Sequence, residues 1–248
     1  MRNSILKVMI RTIAAIGLLG GGALLLATGP KEKAVVTNTQ HLDFPAGGLL
    51  RMVHSTGYIS IEAWNGPGIE LTTIKSTKEE EDAAERAEAA REFQKIRIQT
   101  ERKAGELTIG TSFPRLKLPP PTPLGHAVNF NLEYHIKAPR DTRLQIDHNV
   151  GEVNIESISG EIQVRARQGQ ILLHLPQDRQ CAIDAKSSVG AVNSDFPGAG
   201  RRAGLIFGHR FVGSAPGGSQ RIRLRIRYGD IVILKQNSPA PPGPALKK

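Results

Sequence analysis

A single cysteine in 248 residues excludes a whole class of folds, because Cys181 has no partner within the chain and the domain must hold together by burial alone. Its surroundings, Cys181-Ala-Ile-Asp, suit a small buried hydrophobe. Aromatic residues make up only 4% of the chain, so any core has to be aliphatic. The sequence has no Walker loop, nucleophile elbow, His-Glu-x-x-His or paired-cysteine spacing. Gly198, Gly200 and Gly204 have the wrong spacing for a dinucleotide fingerprint. The histidines are scattered without metal-ligand spacing; a metal site assembled across coils from His135, His148 and His174 is the alternative, and no cofactor is expected.

Acidic residues are also missing before Glu32. Arg2, Lys7 and Arg11 precede an apolar or small run from Ile13 to Gly29, the pattern of an export signal or a single membrane anchor over residues 1–30. A run of this length lies between a signal-peptide core and a short transmembrane helix, so both outcomes stand. Either one places everything after Lys31 outside the cytoplasm: periplasmic, at the cell surface, or tethered by residues 13–29. No cysteine follows the run, which excludes lipid attachment at a new N-terminal cysteine.

What the chain does have is glycine with a rhythm. Gly151-Glu-Val-Asn-Ile, Gly160-Glu-Ile-Gln-Val and Gly169-Gln-Ile-Leu-Leu follow one another at nine-residue steps, and similar phrases begin at Gly57, Gly105, Gly190 and Gly229. Each reads as a turn followed by a strand with one apolar and one polar face. Leu144, Val153, Ile162 and Ile171, then Ile146, Ile155, Val164 and Leu173, form two aliphatic columns. Stacked coils and an antiparallel meander both produce such columns. Glu152, Asn154, Glu161, Gln163, Arg165 and Arg167 then fall on the outer face.

Earlier in the chain, Val35–Thr39 is a short strand, and Leu49–Ser60 and Ile69–Lys75 read as a hairpin around Trp64-Asn-Gly-Pro-Gly. Trp64 is expected to cap the end of the β core, with sugar stacking as the alternative. One surface helix is expected over 77–93, from the Thr77 and Glu80 capping-box spacing and an alanine stripe, with Phe93 and Ile96 anchoring its far end. Residues 114–123 hold five prolines and form a stiff loop, and 236–248 is a Pro-rich, basic tail. The β domain is therefore 31–235.

Charge is unevenly placed. Of the net +10, residues 201–235 supply +7, from eight Lys or Arg against Asp230, whereas residues 31–200 carry a net −2. Arg221-Ile-Arg-Leu-Arg-Ile-Arg alternates strictly, so Arg221, Arg223, Arg225 and Arg227 share one strand face. They pair with carboxylates of a neighbouring strand or are screened by solvent, or they meet an anionic partner such as an envelope polymer or lipid headgroups. Nucleic acid is not expected, since no aromatics are interleaved for base stacking.

In their order, these features resemble the bacterial DUF4097 family of adhesin-like proteins. The shared traits are a leader, an early Gly57-x-Ile-x-Ile strand running to Trp64, a charged helix, Ile136-Lys-Ala-Pro139, consecutive glycine units and the final Gly229-Asp-Ile strand. The resemblance spans about Val35 to Lys235. It implies a single-stranded right-handed parallel β-helix-like repeat with flanking β-sheet and one inserted surface helix, all-β in class, and it brings no catalytic residues. Functionally it implies a non-catalytic exported envelope or cell-surface protein. A surface polysaccharide lyase or hydrolase drawing on Asp141, Asp147, Glu152, Glu156 and Glu161 is one alternative, and an envelope sensor or regulatory partner another. Buried carboxylates in a groove favour an enzyme; a flat solvated wall favours binding.

Overall fold

The computed structural model describes residues 30–113, 130–202, 208–214 and 220–236; the leader before Pro30, the loop 114–123 and the tail beyond Gln236 lie outside the described residues. The first part of the chain forms β1 (Val35–Leu42), β2 (Leu49–Trp64), β3 (Ile69–Thr77), α1 (Ala83–Lys95), β4 (Arg97–Lys103) and β5 (Glu106–Ser112). The second forms β6 (Phe130–Pro139), β7 (Arg143–Glu156), β8 (Ile162–Pro176), β9 (Cys181–Val189), β10 (Val192–Ser194), β11 (Ala199–Arg202), β12 (His209–Ser214) and β13 (Gln220–Gln236). Among the described residues all thirteen strands join one sheet and there is one helix, so the fold is all-β.

The central strands β2, β7, β8 and β13 pair in parallel, and each bends midway at a glycine with positive φ. Those glycines are Gly57, Gly151, Gly169 and Gly229, at φ +102°, +130°, +127° and +131°. β9 and β10 supply the two halves of a fifth rung, with Gly190 at φ +138° between them. Only glycine fits this column. A Cβ on Gly169 would stand 1.8 Å from the carbonyl oxygen of Gly151, and one on Gly229 would stand 1.8 Å from that of Gly169. The corners are stacked backbone on backbone, and left-handed φ is a conformation that L-residues with a Cβ resist.

Register corrects the expected period. Leu144 pairs with Ile162 and Val153 with Ile171, so the repeat that stacks is 18 residues long by subtraction of those numbers. The nine-residue phrase is half a rung: Leu144 and Val153 sit on opposite sides of the bend, in different columns. One column runs Leu50, Leu144, Ile162, Ile222, Ile183; the corresponding one beyond the bend runs Ile59, Val153, Ile171, Ile231, Val192. All of the first and all but Val192 of the second are buried, which makes this double column the core. At about 25 cal/mol per Å² of apolar area, it is the main source of stability.

The rungs also depart from chain order. β13, the last strand, inserts between β8 and β9 and is parallel to both. Its Ile222, Leu224, Ile226, Ile231 and Ile233 match the aliphatic spacing on either side, so insertion satisfies both of its edges and extends the core. The expected hairpin of Leu49–Ser60 with Ile69–Lys75 is likewise not a pair. β6 lies between β2 and β3, parallel to the first and antiparallel to the second, because it brings Leu132, Tyr134, Ile136 and Ala138 into the buried layer. Trp64 is half-buried at the turn, and its indole Nε1 donates to the Gly68 carbonyl at 3.0 Å.

The helix begins at Ala83 rather than Thr77. Asp82 caps it, accepting from the backbone N–H groups of Ala84 and Glu85 while the Glu85 carboxylate reaches back to the Asp82 N–H. Thr77 is buried at the end of β3, where its hydroxyl accepts from the Ala34 N–H and donates to the Glu79 carbonyl. Phe93 and Ile96 anchor the far end as expected, at 3% and 5% exposure.

Candidate functional site

The arginine strand is the first half of β13. Ile222, Leu224 and Ile226 point into the core, whereas Arg221, Arg223 and Arg227 are exposed and Arg225 is half-buried. Register extends that face across five strands. Arg201 opposes Arg210, which opposes Lys186, which opposes Arg225, which opposes Arg165, giving a row of cations from β11, β12, β9, β13 and β8. Neighbouring strands stand about 4.8 Å apart, close enough for like charges to repel.

At one end the face neutralises itself. Asp184 on β9 accepts from Arg210 Nε at 2.9 Å and pairs with the Arg225 guanidinium, whose Nη1 also donates to the Asp184 carbonyl at 2.8 Å. Partial burial pushes the Asp184 carboxyl up, but the hydrogen bonds and positive charge of Arg225 and Arg210 outweigh it and hold the group below the usual carboxylate range. Arg221 Nη2 reaches Glu161 at 3.1 Å on the open surface. The pairing expected from an adjacent strand therefore holds for Arg221 and Arg225.

At the other end it does not. Arg165, Arg167 and Arg227 line a shallow cleft of about 290 Å³ together with His54, Asp147 and Asn149. Among the described residues the ion pairs of this face belong to Arg210, Arg221 and Arg225, and none involves these three arginines. Asp147 is the only carboxylate lining the cleft. The Arg227 guanidinium lies 5.4 Å from the centre of the Tyr228 ring, a cation–π distance.

A kink positions the cleft. The register of β2 against β7 shifts between Met52 and Ser55, and His54 takes φ +55° there with its side chain exposed. Such backbone is uncommon for a residue with a Cβ and accompanies bulges that re-aim side chains. Behind it His148 is buried at 3% exposure, its Nδ1 3.0 Å from Ser55 Oγ and its Nε2 without a hydrogen-bond partner. Burial lowers its pKa from 6.5 to about 4 despite opposing contacts with the Gly57 and Val150 backbone, so the imidazole is neutral.

The other sequence candidates stay apart. Asp147 faces out before the bend, Glu152 and Glu156 face out beyond it, Glu161 is tied to Arg221, and Asp141 is in an exposed turn. His148 points inward, His135 stands 3.0 Å from Glu133 on β6, and His174 lies on β8 opposite Glu156. Among the described residues no three His, Cys, Asp or Glu side chains group as a metal site. Nor is any described helix long and apolar enough to cross a membrane. Sequence reasoning missed Lys186, Arg201, Arg210 and His54 as members of the basic face, and treated Arg165 and Arg167 only as outer-face residues. Antiparallel pairing joins Arg201, Arg210 and Lys186, parallel pairing joins the rest, and no local pattern shows that.

No family model and no curated protein matches the chain. Among solved structures it is similar to a putative cell adhesion protein from Clostridium sporogenes, with 18% identity and a TM-score of 0.47, over 82% of this chain and 100% of that one. It is also similar to a putative adhesin from Bacteroides fragilis, with 11% identity and a TM-score of 0.30, over 81% of this chain and 97% of that one.

Proposed function

We propose that the chain is a non-catalytic, exported envelope protein of adhesin type that contacts anionic polymers or lipid headgroups through its basic β face. The observation that carries this reading is the cross-strand row Arg201, Arg210, Lys186, Arg225, Arg165, with Arg221, Arg223 and Arg227 beside it. Two carboxylates, Asp184 and Glu161, serve Arg210, Arg225 and Arg221, and the remaining guanidinium groups are left for an outside anion. Guanidinium offers paired donors to carboxylate, phosphate and sulfate oxygens, and a flat solvated wall suits an extended polymer better than a small substrate. Export rests on the basic flank and apolar run before residue 30. The doubled parallel rungs fit coils of a right-handed β-helix-like repeat, and the order of motifs fits the DUF4097 family.

The experiment is binding of the full chain to a soluble acidic polysaccharide across a salt series. Affinity is expected to fall steeply with salt, and a variant carrying Gln at positions 221, 223, 225 and 227 to lose most of it. Unchanged binding by that variant at low salt would leave an ordinary solvated β face.

A further inference from the structure

The stacked corner has an outside as well as an inside. Immediately before Gly151, Gly169, Gly229 and Gly190, though not before Gly57, the alternation of buried and exposed side chains breaks, and two successive residues face solvent: Asn149 and Val150, Arg167 and Gln168, Arg227 and Tyr228, Ser188 and Val189. Register aligns them, since Val150 opposes Gln168, Gln168 opposes Tyr228, and Tyr228 opposes Val189. The bend therefore carries a ridge on which Val150, Tyr228 and Val189 are 44%, 46% and 42% exposed. Exposed apolar side chains are ordinary when scattered; here three of them fall in one line along the bend, with Gln168 between Val150 and Tyr228.

We propose that this ridge docks on an anionic phospholipid surface, with headgroup phosphate held in the cleft between Arg165, Arg167 and Arg227 and the tips of Val150, Tyr228 and Val189 entering the interface. The inference rests on the reading of the basic face as an anion-binding wall and narrows it to one partner. Charge complementarity carries it. Among the described residues none of the three arginines forms an ion pair, although Asp147 opposes Arg165 in register and lines the same cleft; Arg167 and Arg227 adjoin the apolar line, away from the end of the face where Asp184 and Glu161 neutralise the charge. A soluble acidic polysaccharide would satisfy the arginines but offer nothing to two bare valines. A bilayer surface offers phosphate and, a few ångströms deeper, an apolar phase. Tyrosine suits that boundary because its ring is apolar and its hydroxyl stays wet, and here the ring also holds the Arg227 guanidinium at the ridge. Arginine stems can bury their methylenes while the head stays with the phosphates.

The experiment places an environment-sensitive fluorophore on the ridge of the full chain through Val150→Cys, the native Cys181 being buried at 4% exposure. A second protein carries the probe at Glu62→Cys, an exposed site beyond the bend. Because the readout is local to the probe, membrane contact by any other segment does not produce it. With phosphatidylglycerol vesicles the Val150 probe should brighten and shift to the blue, the Glu62 probe should not, and phosphatidylcholine vesicles should give neither change. Adding Arg165→Gln and Arg167→Gln should abolish the shift while far-ultraviolet circular dichroism stays unchanged. A Val150 probe that stays in water on phosphatidylglycerol overturns the inference, as does an equal shift with soluble acidic polysaccharide. If the probe stays in water while polysaccharide binding is still lost with the arginines at 221, 223, 225 and 227, the docking inference fails and the anion-binding reading survives. If the polysaccharide does not bind either, both fail.

Discussion

At the glycine column the chain is packed backbone to backbone and leaves no room for a Cβ; outside it, the neighbouring residues are exposed valines and arginines that form no ion pair among the described residues. The glycine column and its aliphatic flanks leave no freedom, since each Cβ that could be added meets a carbonyl of the rung beneath. The ridge and the basic face are unconstrained by packing, so what stands there is not explained by folding. Changes inside the bend should therefore move stability, and changes outside should move binding.

Breaking the inside has the largest expected effect. Gly169→Ala puts a methyl 1.8 Å from the Gly151 oxygen at φ +127°, and should cost more than about 4 kcal/mol or prevent folding. Gly105→Ala shares a positive φ, +84°, but meets nothing within 4 Å, and should cost only the backbone strain of about 1–2 kcal/mol. Urea unfolding of the two variants compares steric exclusion with conformational strain. Next comes Ile162→Ala, which empties a fully buried site and should cost about 2–5 kcal/mol, whereas Glu161→Ala on the outer turn should cost little. Equal losses from that pair would mean that inside and outside had been assigned the wrong way round.

His148 gives a pH-dependent version of the same comparison. Its folded pKa of about 4 lies below the ordinary 6.5, so the neutral ring stabilises the fold fully above pH 6.5, and that contribution is lost as pH falls from 6.5 towards 4. At 1.36 kcal/mol per unit the loss is on the order of 3 kcal/mol. Thermal unfolding from pH 7 to pH 4 should show it, and His148→Gln should flatten the curve.

A smaller effect belongs to Asp184, whose depressed pKa stabilises the fold above the ordinary carboxylate range and ceases to do so as pH falls below it. Asp184→Asn at neutral pH should cost about 1 kcal/mol, since the pair is partly exposed. It frees Arg210 and Arg225, so affinity for a soluble polyanion should rise as stability falls. A variant that loses both would show that Asp184 organises the binding face.

The legibility of the sequence divides along the same line. Alternation and recurring glycine revealed the all-β class, the inward set of Ile162, Val164, Ile222 and Leu224, and the shared face of Arg221 to Arg227, because those are properties of neighbouring residues. The doubling of the period was hidden, since nine residues before a bend look like nine after it until register shows Leu144 beside Ile162. The insertion of β13 beside β8 and of β6 between β2 and β3 was hidden too, because pairing across long separations leaves no local trace. The cleft inherits that obscurity: Arg165, Arg167, Arg227 and His54 come from three strands, and only the parallel register brings them together.

The most direct test sets one arginine from each end of the basic face against the other. Arg167→Gln and Arg221→Gln each remove one positive charge, the first from the cleft and the second from a pair with Glu161. Affinity of the full chain for phosphatidylglycerol vesicles should drop markedly and lose part of its salt dependence with Arg167→Gln, and change little with Arg221→Gln. Equal losses from the two would mean that only total charge matters, and would contradict a localised site at the bend.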